Sequence, residues 1–496
     1  MTNAEVAGGS NRPSQMLDTG VLVIASCAFL LAATVVVGRG IQPVSAILIV
    51  VSAFVAWHRW MLTWHALLGF VLAVVLVIPA SRYALAVNLP LGLEAYRLAL
   101  AVVLLLWASA LLVDPNVYVR RTPLDGPVVL IVGASLASVV VNFGRVEPLA
   151  GAVLKSVTLF LSFVILFYFV TSVVTTDGGV AALTKFMVAG VGVVAVFAII
   201  EQRSGFNIFD HLRSIFPFLQ FEGNQTSLRY GLIRAKASAD HPIALGVLFA
   251  MTVPIGVALA RSRSAIWWVP TLLSLIGVMA TASRTPILAL LVSGLVFLWL
   301  RPREIVPLLP MMIPLLIVVK IAAPGSVTTV KDLFFPESGP GFIAYEKTLA
   351  SDPTLISGRA NLVPRIKDGM HRPLLGQGVG TRQTGDLNPL RNAPILDNQW
   401  LGTFLDIGLL GLAGWVWLIL RAIRRLGGVA RTRGSPEPVL AAGFAASIAG
   451  FAVAMLTYDS LAFVQETVVF WVILALSATL IAVSPKHEAL DAESAF

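Results

Sequence analysis

The sequence predicts an all-α protein, a polytopic membrane bundle of about 12–14 transmembrane helices with a large outer loop. Three observations carry that expectation. Hydrophobic residues make up 57% of the 496 positions and charged residues only 12%, where a soluble domain carries roughly a quarter charged. Mean hydropathy is +0.87. Apolar runs near the length a helix needs to cross hydrocarbon, about 20 residues, recur along the whole chain. The length alone would suit three or four soluble domains, but so little charge cannot cover their surfaces.

The elements follow in order. Residues 1–19 form a polar tail with one cation, Arg12. The apolar run after them is longer than a signal-peptide core and another follows at once, so it reads as a first membrane helix rather than a cleaved leader. Spans are expected at 20–38, 41–57, 62–80, 95–113, 127–142, 155–174 and 183–201, which make up the N-terminal membrane region 20–201. A first outer loop covers 202–240. The central region 241–323 holds spans at 241–260, 265–282, 286–300 and 305–323. A large outer loop fills 324–397. The C-terminal region 398–483 holds spans at 398–420, 437–457 and 464–483, and 484–496 is a tail.

Charge sets the orientation. The net charge is +9, and fifteen cations, five of them in Arg421–Arg433, fall in short loops on the side of the N-terminus. Six lie beside short loops of the other side, and fourteen in or beside the two long loops, which escape the positive-inside rule. Both termini are therefore expected in the cytoplasm and both long loops outside. Most of the basic excess becomes topology, and nucleic acid is not an expected partner. The single Cys27 excludes a disulfide framework or a cysteine metal site. Six scattered histidines without a close pair argue against zinc.

About 115 residues in two outer loops are too many for plain connections. The first loop ends R-A-K-A-S-A-D-H-P-I-A-L-G at 234–246. Pro242 suits the first turn of the next helix, with Asp240 or His241 as its cap. Arg234 and Lys236 then lie near a helix N-terminus, where backbone N–H groups favour an anion, or they meet lipid headgroups. Arg284, in S-R-T-P at 283–286, has almost no loop in which to reach water. It requires an anion or polar cavity at membrane depth, or it snorkels to the headgroups. Glu201 and Asp459 are partners for these cations or simple interfacial groups.

In the second loop, within the stretch that runs from Ser357-Gly358-Arg359 to Met370, Leu362, Ile366 and Met370 line one face of an expected amphipathic helix, with Pro364 in its first turn. His371-Arg372-Pro373-Leu-Leu-Gly376-Gln-Gly378-Val-Gly380 has G-x-G-x-G spacing without a preceding strand, so it reads as a tight turn and not a phosphate loop. The loop closes on Asp397-Asn398-Gln399-Trp400-Leu401, then Asp406-Ile-Gly408-Leu-Leu-Gly411. Asp397 is either an N-cap of the next span or a general base at the mouth of an outer cavity.

These stretches, in this order, resemble the O-antigen ligase and O-antigen polymerase family of membrane glycosyltransferases, over about residues 180–480. The resemblance implies the fold of the lipid-linked-sugar glycosyltransferase class and transfer, on the outer face of a bacterial inner membrane, from an undecaprenyl-diphosphate-linked oligosaccharide donor to a glycan or glycolipid acceptor. It implies no metal and no other cofactor. Arg234 and Arg284 become the expected grips on the diphosphate, with Lys236, His241, Arg359, Arg372 and Asn398 as further substrate-binding candidates. Where the ligases typically carry His-Asn, with the histidine as base, this chain has Asp397-Asn398. That departure favours a polymerase, or a ligase with another acceptor, with Asp397 as catalytic base and His371 as a second candidate. The alternative is a flippase or exporter of lipid-linked sugars, whose cations would hold the diphosphate in transit.

Overall fold

The computed structural model describes residues 63–80, 82–85, 94–115, 117–216, 219–221, 223, 228–229, 232–322, 366–367, 369–381, 396–432, 434–435 and 437–484. The chain divides into the units Met1–Leu67 and Leu68–Phe496, and the architecture below is that of the second. It is all-α and polytopic. The expected spans 20–38 and 41–57, and all but a few residues of the expected amphipathic helix in the large loop, lie outside the described residues.

Helices run α1 (Trp64–Val77), α2 (Ala95–Val113), α3 (Asp125–Val141), α5 (Ala150–Val173) after the short α4 (Phe143–Val146), and α6 (Asp177–Ser204). They continue with α7 (Pro242–Ser262), α8 (Trp268–Ala280) and α9 (Arg284–Leu300). A short α10 (Met312–Ala322) precedes α11 (Gln399–Arg431), α12 (Pro438–Ala454) and α13 (Val464–Val483). Among the described residues, six helices are long and apolar enough to cross a membrane, and α9 with the bent piece after it makes a possible seventh. Two small antiparallel pairs decorate one end: β1 (Tyr83–Leu85) with β2 (Leu219–Phe221), and β3 (Leu228–Arg229) with β4 (Leu232–Ile233).

Local sequence explains the helix ends. Thr176 caps α6 by accepting from Gly179 N, and Gly205 closes it at φ 76°, the left-handed conformation that costs glycine least. The expected span 305–323 is not one helix. The chain bends by 119° after Leu300 and proceeds through a 3-10 stretch, Val306–Met311, before α10. Pro307, Pro310 and Pro314 remove amide donors from what would be successive turns.

The centre is α13. Residues Val464–Ile481 are buried on every side, as expected of a helix apolar all round, and α5, α6, α7, α11 and α12 pack against it. Helix α12 lies between α7, α9 and α11. Small residues bring these backbones close, as at membrane-helix interfaces generally: a Cβ on Gly443 would lie 2.9 Å from Pro254 O, and one on Gly450 2.2 Å from Ser293 Oγ.

The two ends of the bundle differ. At one, Arg263 pairs with Glu437, Arg261 with Glu304 at 2.9 Å, and Arg431 stacks 4.1 Å over Trp299. These are arginines that the sequence assigns to orientation. The opposite end gathers the candidate site.

Candidate active site

The site begins with a buried carboxylate. Glu201, in the last turn of α6 and 5% exposed, accepts backbone N–H bonds from Lys236 (3.1 Å) and Ala237 (2.6 Å), and the Asn207 amide at 3.1 Å. Glu201 thereby anchors the 234–241 segment. A carboxylate can accept several such bonds at once, each stronger for its charge. Arg82 holds the same segment from the other side, donating to the carbonyls of Ala237 and Ala239 while pairing with Asp210 at 2.6 Å. Between these anchors Ala237 is forced to φ 42°, an uncommon conformation for a residue with a Cβ.

So held, the segment presents its cations inward. Arg234 is 6% exposed; its Nε donates to Thr281 O at 3.2 Å and its Nη2 to Ser283 Oγ at 2.7 Å. Ala235 N also bonds to Ala280 O at 3.1 Å. These bonds fix the guanidinium plane and set it against the break between α8 and α9, at whose edge Arg284 opens the next helix. Two cationic motifs some fifty positions apart therefore meet. Lys236 is equally buried, and burial, with Arg82 beside it, holds its ammonium pKa below the ordinary lysine value although Asp210, Glu201 and Asp240 oppose this.

The cap of α7 is His241, whose Nδ1 accepts from Ile243 N at 3.2 Å, with Pro242 in the first turn. Asp240 is not the cap. It stands one residue too early, just after the tight turn closed by Ala239 N to Lys236 O.

The connection from α12 to α13 joins these parts to Asp397. Thr457 and Thr285 hydroxyls share a bond at 2.7 Å, Asp459 Oδ2 accepts Leu396 N at 3.2 Å, and Leu461 N donates to Gln399 Oε1 at 3.1 Å. The ring of Phe463 in the same connection lies 5.9 Å from those of His241 and Tyr458. Asp459 thus orients the chain next to Asp397. Asp397 is not the N-cap. Asn398 takes that place, its Oδ1 accepting Leu401 N at 3.0 Å, because Asp397 stands one residue too early and at φ 46°. Among the described residues the only non-glycine residues with positive φ are Ala237, Ala282 and Asp397. Each flanks or is a candidate residue, and strain of this kind gathers at functional sites.

His371 and Arg372 line a different cleft, of about 490 Å³, with Asn142, Gly144, Arg145 and Gln377. None of Arg234, Lys236, His241, Arg284 and Asp397 lines it. Arg359 lies outside the described residues. Among the described residues, no three His, Cys, Asp or Glu side chains gather as metal ligands would.

The turn after Arg372 has a structural purpose that spacing did not reveal. Helix α11 breaks at Gly408, φ 67° and ψ −166°. The backbone groups freed there are met by the turn: Gln377 N donates to Leu405 O at 2.7 Å, Gly378 N to Asp406 O at 3.2 Å, and Leu409 N to Pro373 O at 2.7 Å. Leu410 N reaches Leu374 O at 3.2 Å, and Ser138 Oγ adds a bond to Asp406 O at 2.6 Å. Asn142 ties α3 to the clasp through Gly376 O at 3.1 Å and accepts from Arg372.

Residues 269–416 match the O-antigen ligase family. Over that segment the chain is similar to the family. No curated protein matches the chain. The matched O-antigen ligase segment runs from α8 through the helix break in α11, so it contains Arg284, the clasp and Asp397. Arg234, Lys236 and His241 precede it. The helices make the chain a multi-pass membrane protein.

Two further groups at this end were silent in the sequence. Gln465 Nε2 donates to Ser238 Oγ at 2.8 Å and to the carbonyls of Val75 and Leu76. Tyr458 donates to Glu466 Oε1 at 2.6 Å. Burial, then the carboxylate, pushes the Tyr458 hydroxyl well above the usual tyrosine range, which keeps it a donor. Gln465 and Glu466 are polar residues at the start of an apolar helix, where spacing has nothing to report.

Proposed function

We propose that this protein transfers glycan from an undecaprenyl-diphosphate-linked donor to a hydroxyl of a glycan or glycolipid acceptor on the outer face of a bacterial inner membrane, with both termini in the cytoplasm. The observation that carries the reading is the bond of the buried Arg234 to Ser283, which unites two cationic motifs at one helix break. Arg234, Arg284 and Lys236 meet the negative charge that develops on the departing lipid diphosphate, fixed in place beforehand and so without reorganisation. Arginine suits this work because its planar fork matches phosphate oxygens. Asp397 takes the proton of the attacking hydroxyl, and its backbone, turned at φ 46° beside the Asp459-anchored Leu396, sets its position. A single displacement at the anomeric carbon inverts its configuration. His241 and Asn398 shape the site through the helix N-termini they cap rather than by touching donor.

The test is direct. Purified protein given synthetic undecaprenyl-diphosphate oligosaccharide and a glycan acceptor releases lipid diphosphate and yields a lengthened glycan. Asp397→Asn abolishes turnover while leaving donor binding intact, and Arg234→Gln weakens donor binding. Full turnover by Asp397→Asn removes it as the base. Translocation of the donor across vesicles without any transfer makes the protein a carrier instead.

A further inference from the structure

The cleft beside Asn142 has no part in the donor chemistry above, yet its lining is that of a binding site. We propose that it is a second glycan subsite, taking an acidic saccharide unit, carboxylated or phosphorylated, of the acceptor. The inference rests on the glycosyl-transfer reading and adds the class of acceptor.

The volume, about 490 Å³, falls within the roughly 300–1,000 Å³ of small-molecule sites. Arg145 and Arg372 contribute two permanent positive charges, and among the described residues no Asp or Glu lines the cleft. A guanidinium binds a carboxylate or phosphate through two parallel bonds. Gln377 adds an amide that can both donate and accept, as sugar hydroxyls require, while the Asn142 amide holds the wall together. The wall is also rigid. Asn142 is 2% exposed and bonded to Ser138 O (2.8 Å) and Gly376 O (3.1 Å), while Gln377 N is tied to Leu405 O at 2.7 Å.

That last bond gives the cleft its bearing on the reaction. Gln377 is attached to the half-helix that starts just after Asp397, and the eight residues from 397 to 405 rise roughly 12 Å at 1.5 Å each. An acceptor whose terminal hydroxyl reaches Asp397 can thus place a unit a few sugars back between Arg145 and Arg372. Gly144 offers a clean probe, because a Cβ there meets nothing within 4 Å. A larger side chain enters the cleft without pressing on the fold.

The experiment uses the full chain in phosphatidylcholine nanodiscs, titrated calorimetrically with a galacturonic acid trisaccharide and with the uncharged galactose trisaccharide. The acidic trisaccharide is expected to bind at least about tenfold tighter, the loss of one charge-assisted contact being of that size. Arg145→Gln and Gly144→Leu should each weaken it by a similar factor. Equal affinity for the two trisaccharides, or no change in either variant, overturns the proposal. If phosphatidylglycerol in the nanodisc abolishes trisaccharide binding, the cleft holds a lipid headgroup and the proposal also fails. Undecaprenyl diphosphate is titrated separately into the same samples. Its failure to bind counts against the donor reading alone, and both variants should bind it as wild type does.

Discussion

Gly408→Ala should be among the most damaging single-methyl changes in the bundle. At φ 67° and ψ −166° the residue occupies backbone space nearly reserved for glycine, and an alanine forced there costs about 1–3 kcal/mol in strain. The new Cβ would also lie 2.3 Å from the carbonyl carbon and oxygen of Leu374. These are backbone atoms that no rotamer change can move away. Relief requires the 373–378 turn to withdraw, which endangers its four backbone bonds to Leu405, Asp406, Leu409 and Leu410, each with a net value of about 1 kcal/mol. Losing two of the four brings the total to about 3–5 kcal/mol. The assay is the thermal midpoint of detergent-purified protein followed by tryptophan fluorescence. Gly294→Ala serves as reference, because a Cβ there meets nothing within 4 Å and alanine is the better helix former. Gly408→Ala should melt well below both wild type and the reference. A midpoint within the spread of Gly294→Ala would show that the clasp does not hold the break.

Three other outcomes follow from the same geometry. Ser138→Ala removes one bond to the broken helix, to Asp406 O at 2.6 Å, and should cost about 1 kcal/mol; a change as large as that of Gly408→Ala would mean that α3, not the turn, secures it. Tyr458→Phe leaves the fully buried Glu466 without its 2.6 Å donor and should destabilise by about 1–3 kcal/mol, whereas Tyr458→Phe combined with Glu466→Gln should recover part of the loss in the same melt. Lys236 carries the pH prediction. Its pKa is lowered by burial and by Arg82, so between that value and the ordinary lysine value the unfolded chain binds more protons and stability rises with pH. The midpoint difference by which Lys236→Met exceeds wild type should therefore shrink as pH is raised through that window, and a constant difference would contradict the cause assigned.

The fold was legible because a membrane span is written in composition. The run at 95–113 became α2 and that at 464–483 became α13 with the same ends, since charge and apolar length define both limits. The run at 305–323 failed because hydropathy does not register the prolines that break it. Candidate residues were legible where a polar group stands in an apolar context, as with Arg284 between α8 and α9. Capping was left open between Asp240 and His241, and the cap reading of Asp397 was one residue out, because a cap depends on where the backbone enters the helix, not on which residue is more often a cap. What spacing could not supply was pairing. Nothing local tells that Glu201 receives the amides of Lys236 and Ala237, or that L-L-G-Q-G and D-I-G-L-L-G close on one another. The only trace of the second pairing was two glycine clusters with no assigned purpose.

That pairing changes what the motifs mean. Glycines in 376–380 were read as a tight turn; in that turn Gly376 gives its amide to Arg372 O and passes close to Asp406, where a Cβ would lie 2.6 Å from the carbonyl carbon. The consequence is mechanical. Residues 399–407 form a half-helix whose far end is fixed by the clasp and whose near end begins at Asn398, so Asp397 stands at the tip of a short, braced lever. The cations at 234–236 and 284 are braced independently, by Glu201 and Arg82 on one side and by the break between α8 and α9 on the other. On the proposed reading, a site that binds one charged group and deprotonates another needs its two halves held apart at a constant distance. Strained backbone at Ala237, Ala282 and Asp397 is the visible cost of that separation, and relaxing any one of the three should lower turnover before it lowers donor affinity.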